Sequence, residues 1–378
     1  MGRTSGWLIR LAALILLIAV TESTTRAAAG PDAVLIMKSS ADSVRESRLS
    51  LDAPRILRSI RTAPAQQADA SHLQAGDSYL KLVSKGQENT YLLTRNGSLY
   101  DEQTNQLLVP DSKARAYLRE QAGKLRDSHY GAIVPWGQVR TLLPRLEKFA
   151  ITDIETGLSF HVQRRAGNQH ADVQPLTKAD TAIMKRIYQG TWSWNRRAVL
   201  VQGKDGRPLA ASMAGMPHGG DGIPDNDFSG HFCLHFLGSS THRSRQVDPE
   251  HQLMVYKAGG RLQEYLEQAG PDEIVDTYLA AVHLKDSQLL KLSLGSLKHR
   301  ELDSTLLWMK ELSSIRRIPA KGKGGHKRIT GADPLAIDLS IPVDLVRKGH
   351  RPERKTFVFR LRRLSPADGW YMESVDRD

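Results

Sequence analysis

The chain has 378 residues, and its 53 lysines and arginines outnumber 41 aspartates and glutamates, which gives a formal net charge of +12. A basic surface favours an anionic partner, such as a cell-wall polymer or lipid headgroups, and it serves solubility equally well. The single cysteine excludes an internal disulfide, and no aromatic and basic motif for nucleic-acid recognition is present. We therefore expect peptidoglycan or another anionic cell-wall polymer as partner, and no nucleic acid. The same positive charge is compatible with a peripheral contact with membrane lipids.

The N-terminus has the pattern of a secretory signal peptide. Arg3 and Arg10 precede an apolar run, Leu11 to Val20, and a polar stretch then ends in three alanines before Gly30. This run of ten residues is shorter than the roughly 20 residues that a membrane-spanning helix needs. The pattern predicts a signal peptide over residues 1–29, cleavage near Gly30 and a secreted, extracytoplasmic location in the cell wall or periplasm. An uncleaved membrane anchor is the alternative.

Residues 31–128 have the pattern of a small α+β module. Short alternating stretches predict strands, the pair Asn96-Gly97 predicts a hairpin turn, and two stretches have helical spacing. The layout resembles small extracytoplasmic modules of Gram-positive-type lipoproteins, and nothing in it indicates catalysis. The predicted strands are Ala33 to Lys38, Tyr79 to Ser84, Tyr91 to Thr94 and Leu107 to Val109, and the predicted helices are Ala53 to Thr62 and Ser112 to Leu125.

Residues 131–269 form the predicted central domain, which we expect to be mainly β. The stretch from Phe149 to Val162 predicts a strand pair, and Thr177 predicts the N-cap of a helix. Met216 to His242 begins with a loop rich in glycine, proline, aspartate and asparagine, which leads into a predicted strand from Phe232 to Leu237. Seven of the thirteen histidines and the lone cysteine lie in this domain.

Residues 271–378 predict helices followed by an antiparallel sheet. Gly270-Pro271 is a breaker, the stretch from Ile274 has apolar residues at helical spacing, and three later stretches alternate like strands: Ala336 to Val343, Thr356 to Arg363 and Trp370 to Val375. The layout resembles the nuclear-transport-factor-like cone fold that is often appended to exported bacterial proteins. The predicted fold class is therefore a multidomain α+β protein with a cone-like C-terminal domain.

The chemistry of the central domain centres on Cys233. Alternate residues of a strand share one face, so His231, Cys233 and His235 point in one direction. An imidazole within hydrogen-bond reach takes the thiol proton, and the imidazolium then holds the thiolate by charge. This arrangement suits nucleophilic acyl transfer. A buried, inert thiol within a cluster of histidines is the alternative.

The motif around Cys233 resembles the L,D-transpeptidase signature. His218-Gly219 precedes a loop and then Ser229-Gly230-His231-Phe232-Cys233, in which glycine and histidine are exchanged and Phe232 is inserted relative to the family pattern. The resemblance implies a cysteine acyl-transferase of peptidoglycan, with Cys233 as nucleophile, His218 as general base, and Ser229 and His231 beside them. It places the oxyanion donors around Phe232 and Cys233. A wider part of the central domain, which includes residues 164–181, 192–201 and 210–219, also resembles a segment of uncharacterised exported bacterial proteins.

Further residues are candidates for substrate or metal binding. Arg196 and Arg197 are predicted to bind substrate, because an arginine pair can bind a carboxylate with two hydrogen bonds. Gly219 and His235, which lie in the motif around Cys233, are also predicted to bind substrate. We expect no cofactor. The alternative is zinc in a wall hydrolase, held by residues among His218, His231, Cys233, His235 and His242.

A third function class, a non-catalytic wall-binding protein, uses neither a nucleophile nor a metal. Asp172 follows His170 by two residues, and two interpretations are open for it: it orients an imidazole, as the third member of a triad does, or it satisfies backbone N–H groups in a turn, which is the interpretation that we favour.

Overall fold

The computed structural model describes residues 32–70, 73–84, 86–203, 206–220, 222–242, 245–318 and 334–377. The predicted signal peptide over residues 1–29 and its cleavage site near Gly30 lie outside these residues. From Asp32 onward the chain forms one compact unit. Within the described part, none of the helices is both long and apolar enough to cross a membrane. The described part contains helices and three antiparallel sheets, so the predicted α+β class is confirmed.

The N-terminal sheet confirms the predicted strand at Ala33–Lys38 and the hairpin turn, in which Gly97 has a φ of +85°. It has seven strands in the order β2-β1-β4-β5-β6-β7-β3. They are Ala33–Lys38 (β1), Glu46–Ser50 (β2), Ala65–Gln67 (β3), Ser78–Ser84 (β4), Gln87–Leu93 (β5), Leu99–Asp101 (β6) and Gln106–Leu108 (β7). Helices Pro54–Arg61 (α1) and Ser112–His129 (α2) accompany this sheet, and the Asp111 side chain caps α2.

The central segment forms a closed barrel of six strands in the order β10-β13-β12-β11-β8-β9. The strands are Lys148–Asp153 (β8), Ser159–Ala166 (β9), Ala171–Pro175 (β10), Arg196–Val201 (β11), Leu209–His218 (β12) and His231–His235 (β13), with helices Trp136–Leu142 (α3) and Lys178–Ile187 (α4). The predicted cap is confirmed, because Thr177 Oγ1 accepts a hydrogen bond from the backbone N–H of Asp180. Alternate strand residues, including Phe160, Val173 and Phe232, share one apolar core that fills the barrel.

The C-terminal segment places helices before a four-stranded sheet, as predicted. The helices are Pro249–Ala258 (α5), Leu262–Glu267 (α6), Pro271–Leu284 (α7), Ser287–Leu294 (α8) and Leu302–Glu311 (α9). The sheet has the order β14-β15-β16-β17, formed by Leu312–Arg317 (β14), Ala336–Arg347 (β15), Glu353–Arg362 (β16) and Tyr371–Asp376 (β17). Alternation along β15 buries Leu339, Ile341 and Val343, because the sheet packs on the helices through one face.

Packing continues across the boundaries that the sequence predicts near residues 126–131 and 269–271. One apolar cluster includes Leu35 of β1, Leu253 of α5 and Phe359 of β16. Lys257, on α5, is 5% exposed and pairs with Glu155 and Asp286 at 2.7 and 2.5 Å. Ser39 and Ser40 of the N-terminal segment donate hydrogen bonds to the two oxygens of Glu155. We call these five residues the Lys257 joint. That the three predicted domains fold independently stays a prediction.

Candidate functional site

Strand β13 carries the candidate site on the outer side of the barrel. Phe232 and Leu234 belong to the barrel core, so the alternate residues His231, Cys233 and His235 face outward together. Cys233 lies opposite Asp172 of β10. Helix α5 packs against β11, β12 and β13 and covers one end of this face. We call the outward set of side chains the histidine face; its members are His170, Asp172, His218, His231, Cys233, His235 and His242.

A bulge in β12 brings His218 to the cysteine. The register pairs Ala214 with Cys233 and then shifts, so that His218 lies opposite His231. Bulges of this kind re-aim side chains, and proline is tolerated within them, as Pro217 is here. As a result, His218 Nε2 lies 3.3 Å from Cys233 Sγ.

Hydrogen bonding defines the tautomer of His218. Its Nδ1 lies 2.9 Å from the carbonyl oxygen of Met216, which can only accept, so Nδ1 carries the proton. Nε2 is therefore the ring nitrogen that faces the thiol. Burial, together with the charge of Asp172, raises the pKa of Cys233 to about 12. The resting thiol is therefore protonated, and His218 Nε2 lies where it can accept that proton.

The loop before β13 is held in place by buried amides. Gln174 Nε2 donates to the carbonyl of Gly230, and Gln174 Oε1 accepts from the backbone N–H of Ile223 at 2.7 Å. Asn226 donates to the carbonyl of Pro175 at 2.8 Å. Gly230 has a φ of +87°, and a Cβ there would lie 2.2 Å from the His218 carbonyl oxygen. The loop therefore packs closely against the bulge of β12, and this packing restrains the backbone on both sides of the thiol.

Beside the thiol, imidazoles converge on Asp172. Asp172 Oδ1 lies 3.0 Å from His242 Nε2, 3.3 Å from His170 Nε2 and 3.8 Å from His231 Nε2. Burial acts to raise the pKa of Asp172, but the neighbouring imidazoles lower it overall. Asp172 is therefore an anion inside the histidine face. This corrects its interpretation as a turn residue, because it belongs to β10 and its side chain faces Cys233 across the ladder.

His235 occupies the covered end of the histidine face. Its ring stacks on His170 and on His251 of α5, with centroid distances of 4.2 and 3.7 Å. Burial lowers the pKa of both His235 and His251 well below the ordinary value, so both rings are neutral. His235 was predicted to bind substrate, and the structure buries it beneath α5, at 1% exposure.

The remaining predicted site residues are dispersed. Arg196 pairs with Asp248 at 2.6 Å, and Arg197 binds Asp153 through two hydrogen bonds of 2.8 and 2.7 Å. Adjacent strand residues face opposite ways, so the two arginines do not form one carboxylate-binding pair. Ser229 is exposed in the loop.

Gly219 is also exposed, with a φ of +73°. A Cβ at this position would lie 2.3 Å from the ring of His231. Its role in the structure is therefore close packing of the backbone against that imidazole.

A cleft of about 680 Å³ comes near the histidine face through one of its lining residues, Trp194. Trp194, whose ring centroid lies 5.0 Å from that of His218, forms part of its wall. The other walls come from the N-terminus of α5, from α7 and from β14. Arg316 of β14 is exposed there, and it has no ion-pair partner within the described part of the chain.

The sequence reasoning missed both Trp194 as a neighbour of His218 and Arg316 as part of the cleft. Both residues lie outside the motif around Cys233 in the sequence, so no local pattern linked them to it. For Asp172, the two-residue spacing from His170 was the available signal, because residues two apart on an extended chain share a face.

No protein-family model, no curated protein and no solved structure gives a significant match to this chain.

Proposed function

We propose that this protein is an exported cysteine acyl-transferase of peptidoglycan stem peptides, with Cys233 as nucleophile and His218 as general base. The observation that carries the proposal is the 3.3 Å separation of Cys233 Sγ from His218 Nε2, with the opposite ring nitrogen already donating to Met216. In this proposal the barrel is the transpeptidase-like unit, the segment from α7 to β17 is the nuclear-transport-factor-like unit, and the protein acts in the wall or periplasm.

The reaction uses one proton carrier. As Sγ attacks the amide carbonyl carbon of a stem peptide, the thiol proton passes to His218 Nε2. Collapse of the tetrahedral intermediate breaks the C–N bond, and His218 returns the proton to the departing amine, which leaves a thioester on Cys233. An amine of a second stem, or water, then attacks the thioester and gives its proton to His218. The proton finally returns to the released thiolate of Cys233.

The two predicted oxyanion donors, the backbone N–H groups of Phe232 and Cys233, have different neighbours in the sheet. Cys233 is paired with Asp172 on one side and Ala214 on the other, which directs its backbone N–H into the sheet. Phe232 is paired with Val173 of β10, but on its other side it faces the interruption of the β12 ladder. We therefore place the backbone part of the oxyanion site at Phe232, where each donor of this kind supplies about 3–4 kcal/mol.

The cleft beside Trp194 supports a peptide substrate. Its volume of about 680 Å³ lies within the roughly 300–1,000 Å³ that is usual for small-molecule sites. Arg316 offers a free guanidinium for a peptide carboxylate, and this replaces the role that the sequence assigned to Arg196 and Arg197. Asp248 and Glu250 at the N-terminal end of α5 line the same cleft, but both already pair with Arg196, and Glu250 also contacts His283.

Intact-mass spectrometry tests the nucleophile. The full chain is incubated with a stem peptide or with a carbapenem, in the presence of a chelator. We expect one acyl adduct, located on Cys233 by peptide mapping, and no adduct on Cys233→Ala. His218→Gln should slow acylation by about 10²–10⁴-fold, because the general base is lost.

His161→Gln is the matched control, since its ring is 69% exposed on β9, and it should acylate like the wild type. A protein that is folded by circular dichroism and forms no adduct contradicts the proposal. Retention of wall-modifying activity by Cys233→Ala contradicts it equally.

A further inference from the structure

We infer that the histidine face also contains a site for one zinc-class divalent ion, ligated by His170, Asp172, Cys233 and His242. One ligand atom from each of these four residues lies within 4.8 Å of the other three. Two imidazole nitrogens, one carboxylate oxygen and one sulfur form a ligand set typical of zinc. The site differs from the sequence-predicted set, because His170 and Asp172 replace His218, His231 and His235.

The orientation of His170 is the second, independent observation. The residue is fully buried, and its Nδ1 lies 2.7 Å from the carbonyl oxygen of Ser240, so Nδ1 carries the proton. Nε2 therefore faces the Asp172 carboxylate, and it has no hydrogen-bond partner among the described residues. A buried ring nitrogen and a carboxylate oxygen that lie 3.3 Å apart can both ligate one cation. Metal-binding histidines donate their other N–H to a carbonyl in this same way.

The distances fit tetrahedral coordination. Zinc–nitrogen and zinc–oxygen bonds of about 2.0–2.1 Å and zinc–sulfur bonds of about 2.3 Å place neighbouring ligand atoms roughly 3.3–3.6 Å apart. The Asp172 oxygen lies 3.3 Å from His170 Nε2 and 3.0 Å from His242 Nε2, and the Cys233 sulfur lies within 4.8 Å of these atoms, so ion binding requires the side chains to move closer to one another. The carboxylate and the thiolate balance the charge of a divalent ion. When the ion binds, the thiol proton of Cys233 is released to solvent.

Ion binding and acyl transfer use the same sulfur. A coordinated thiolate has its lone pair on the metal, so the ion-bound protein cannot attack a carbonyl carbon with that sulfur. This consequence rests on the proposed function: the ion inhibits acylation reversibly, and a chelator restores it. The existence of the ion site itself does not depend on the enzyme activity.

Metal titration of the full chain, free of any histidine tag, tests the site. After chelator treatment and dialysis, Co²⁺ alone is added, and a sulfur-to-cobalt charge-transfer band is followed by absorbance. Zinc stoichiometry is measured by elemental analysis. We expect one ion per chain and a charge-transfer band that Cys233→Ser removes. His242→Gln, a change at a side chain that is 44% exposed, should weaken binding at least 10-fold.

His161→Gln should bind like the wild type, because it leaves all four ligands in place. Binding no stronger than that of the Cys233→Ser, His242→Gln double variant overturns the inference. So does binding without a charge-transfer band, which would place the ion on His218, His231 and His242 instead.

The two proposals fail separately. Acylation in the presence of chelator with no metal binding removes only the ion site. Metal binding through Cys233 with no acyl adduct removes only the transferase.

Discussion

The Lys257 joint and the histidine face are both buried polar networks, and they differ in whether their polar groups have hydrogen-bond or ion-pair partners. In the joint, the Lys257 ammonium contacts two carboxylates, and Ser39 and Ser40 donate to Glu155 at 3.0 and 2.6 Å. The second oxygen of Asp286 accepts from the backbone N–H of Leu289 at 2.9 Å. The charged groups of the joint all have partners, so it joins the N-terminal segment, the barrel and the C-terminal helices.

In the histidine face, several buried ring nitrogens have no hydrogen-bond partner among the described residues: His170 Nε2, His231 Nε2 and His235 Nδ1. Buried polar groups are nearly always paired, so each exception requires an explanation. The polar groups of the joint are paired, whereas several of those in the histidine face are not. Of the unpaired nitrogens, His170 Nε2 belongs to the proposed ion site, and His235 Nδ1 is buried beneath α5.

Removing the lysine of the joint should have the largest effect on stability. Lys257→Met leaves two buried carboxylates without their counter-charge, so we expect the free energy of unfolding to fall by about 3–5 kcal/mol. Urea unfolding followed by circular dichroism measures it. Lys124→Met is the matched control: its pair with Glu120 is more than 60% exposed on both sides, and the loss should stay below about 0.5 kcal/mol. Equal losses in the two variants would show that the joint does not hold the fold.

Acid should weaken the joint over a defined range. Burial acts to raise the pKa of Glu155, but Lys257 and the two serine hydroxyls lower it to about 2, from an ordinary value of 4.5. The unfolded state therefore binds this proton first, and stability from Glu155 is present above pH 4.5 and lost as the pH falls toward 2.

For this one group the slope of unfolding free energy is at most about 1.4 kcal/mol per pH unit. Urea unfolding measured at several pH values compares the wild type with Glu155→Gln, which should lose this part of the acid dependence. An unchanged slope in the variant would assign the acid sensitivity to other groups.

Replacing an unpaired group of the histidine face should have the smallest effect. His235→Phe keeps an aromatic ring between His170 and His251 and removes the unpartnered Nδ1, so we expect a change in unfolding free energy within about 1 kcal/mol, or a gain. Chemical denaturation measures it against the Lys257→Met result. A loss above about 2 kcal/mol would show that this nitrogen is paired, and the contrast between the two networks would then be lost.

Local signals predicted much of the architecture. The strand at Ala33–Lys38, the Asn96-Gly97 turn, the Thr177 cap and the shared face of His231, Cys233 and His235 all follow from periodicity or turn chemistry. Each depends on residues that are neighbours in the chain, so one sequence contains the information. The pairing of Cys233 with His218 came from the motif, and the structure adds its distance and tautomer.

The amino-acid sequence by itself determined the α+β class and the alternation of β13, and it predicted Cys233 as the chemical centre. Only the tertiary structure decided that a bulge in β12 aims His218 at the thiol, that Asp172 gathers imidazoles, and that α5 buries His235. The physical reason is register. The side-chain period is a property of one strand, whereas the side chains that meet across a barrel depend on how strands distant in sequence align and where a ladder shifts.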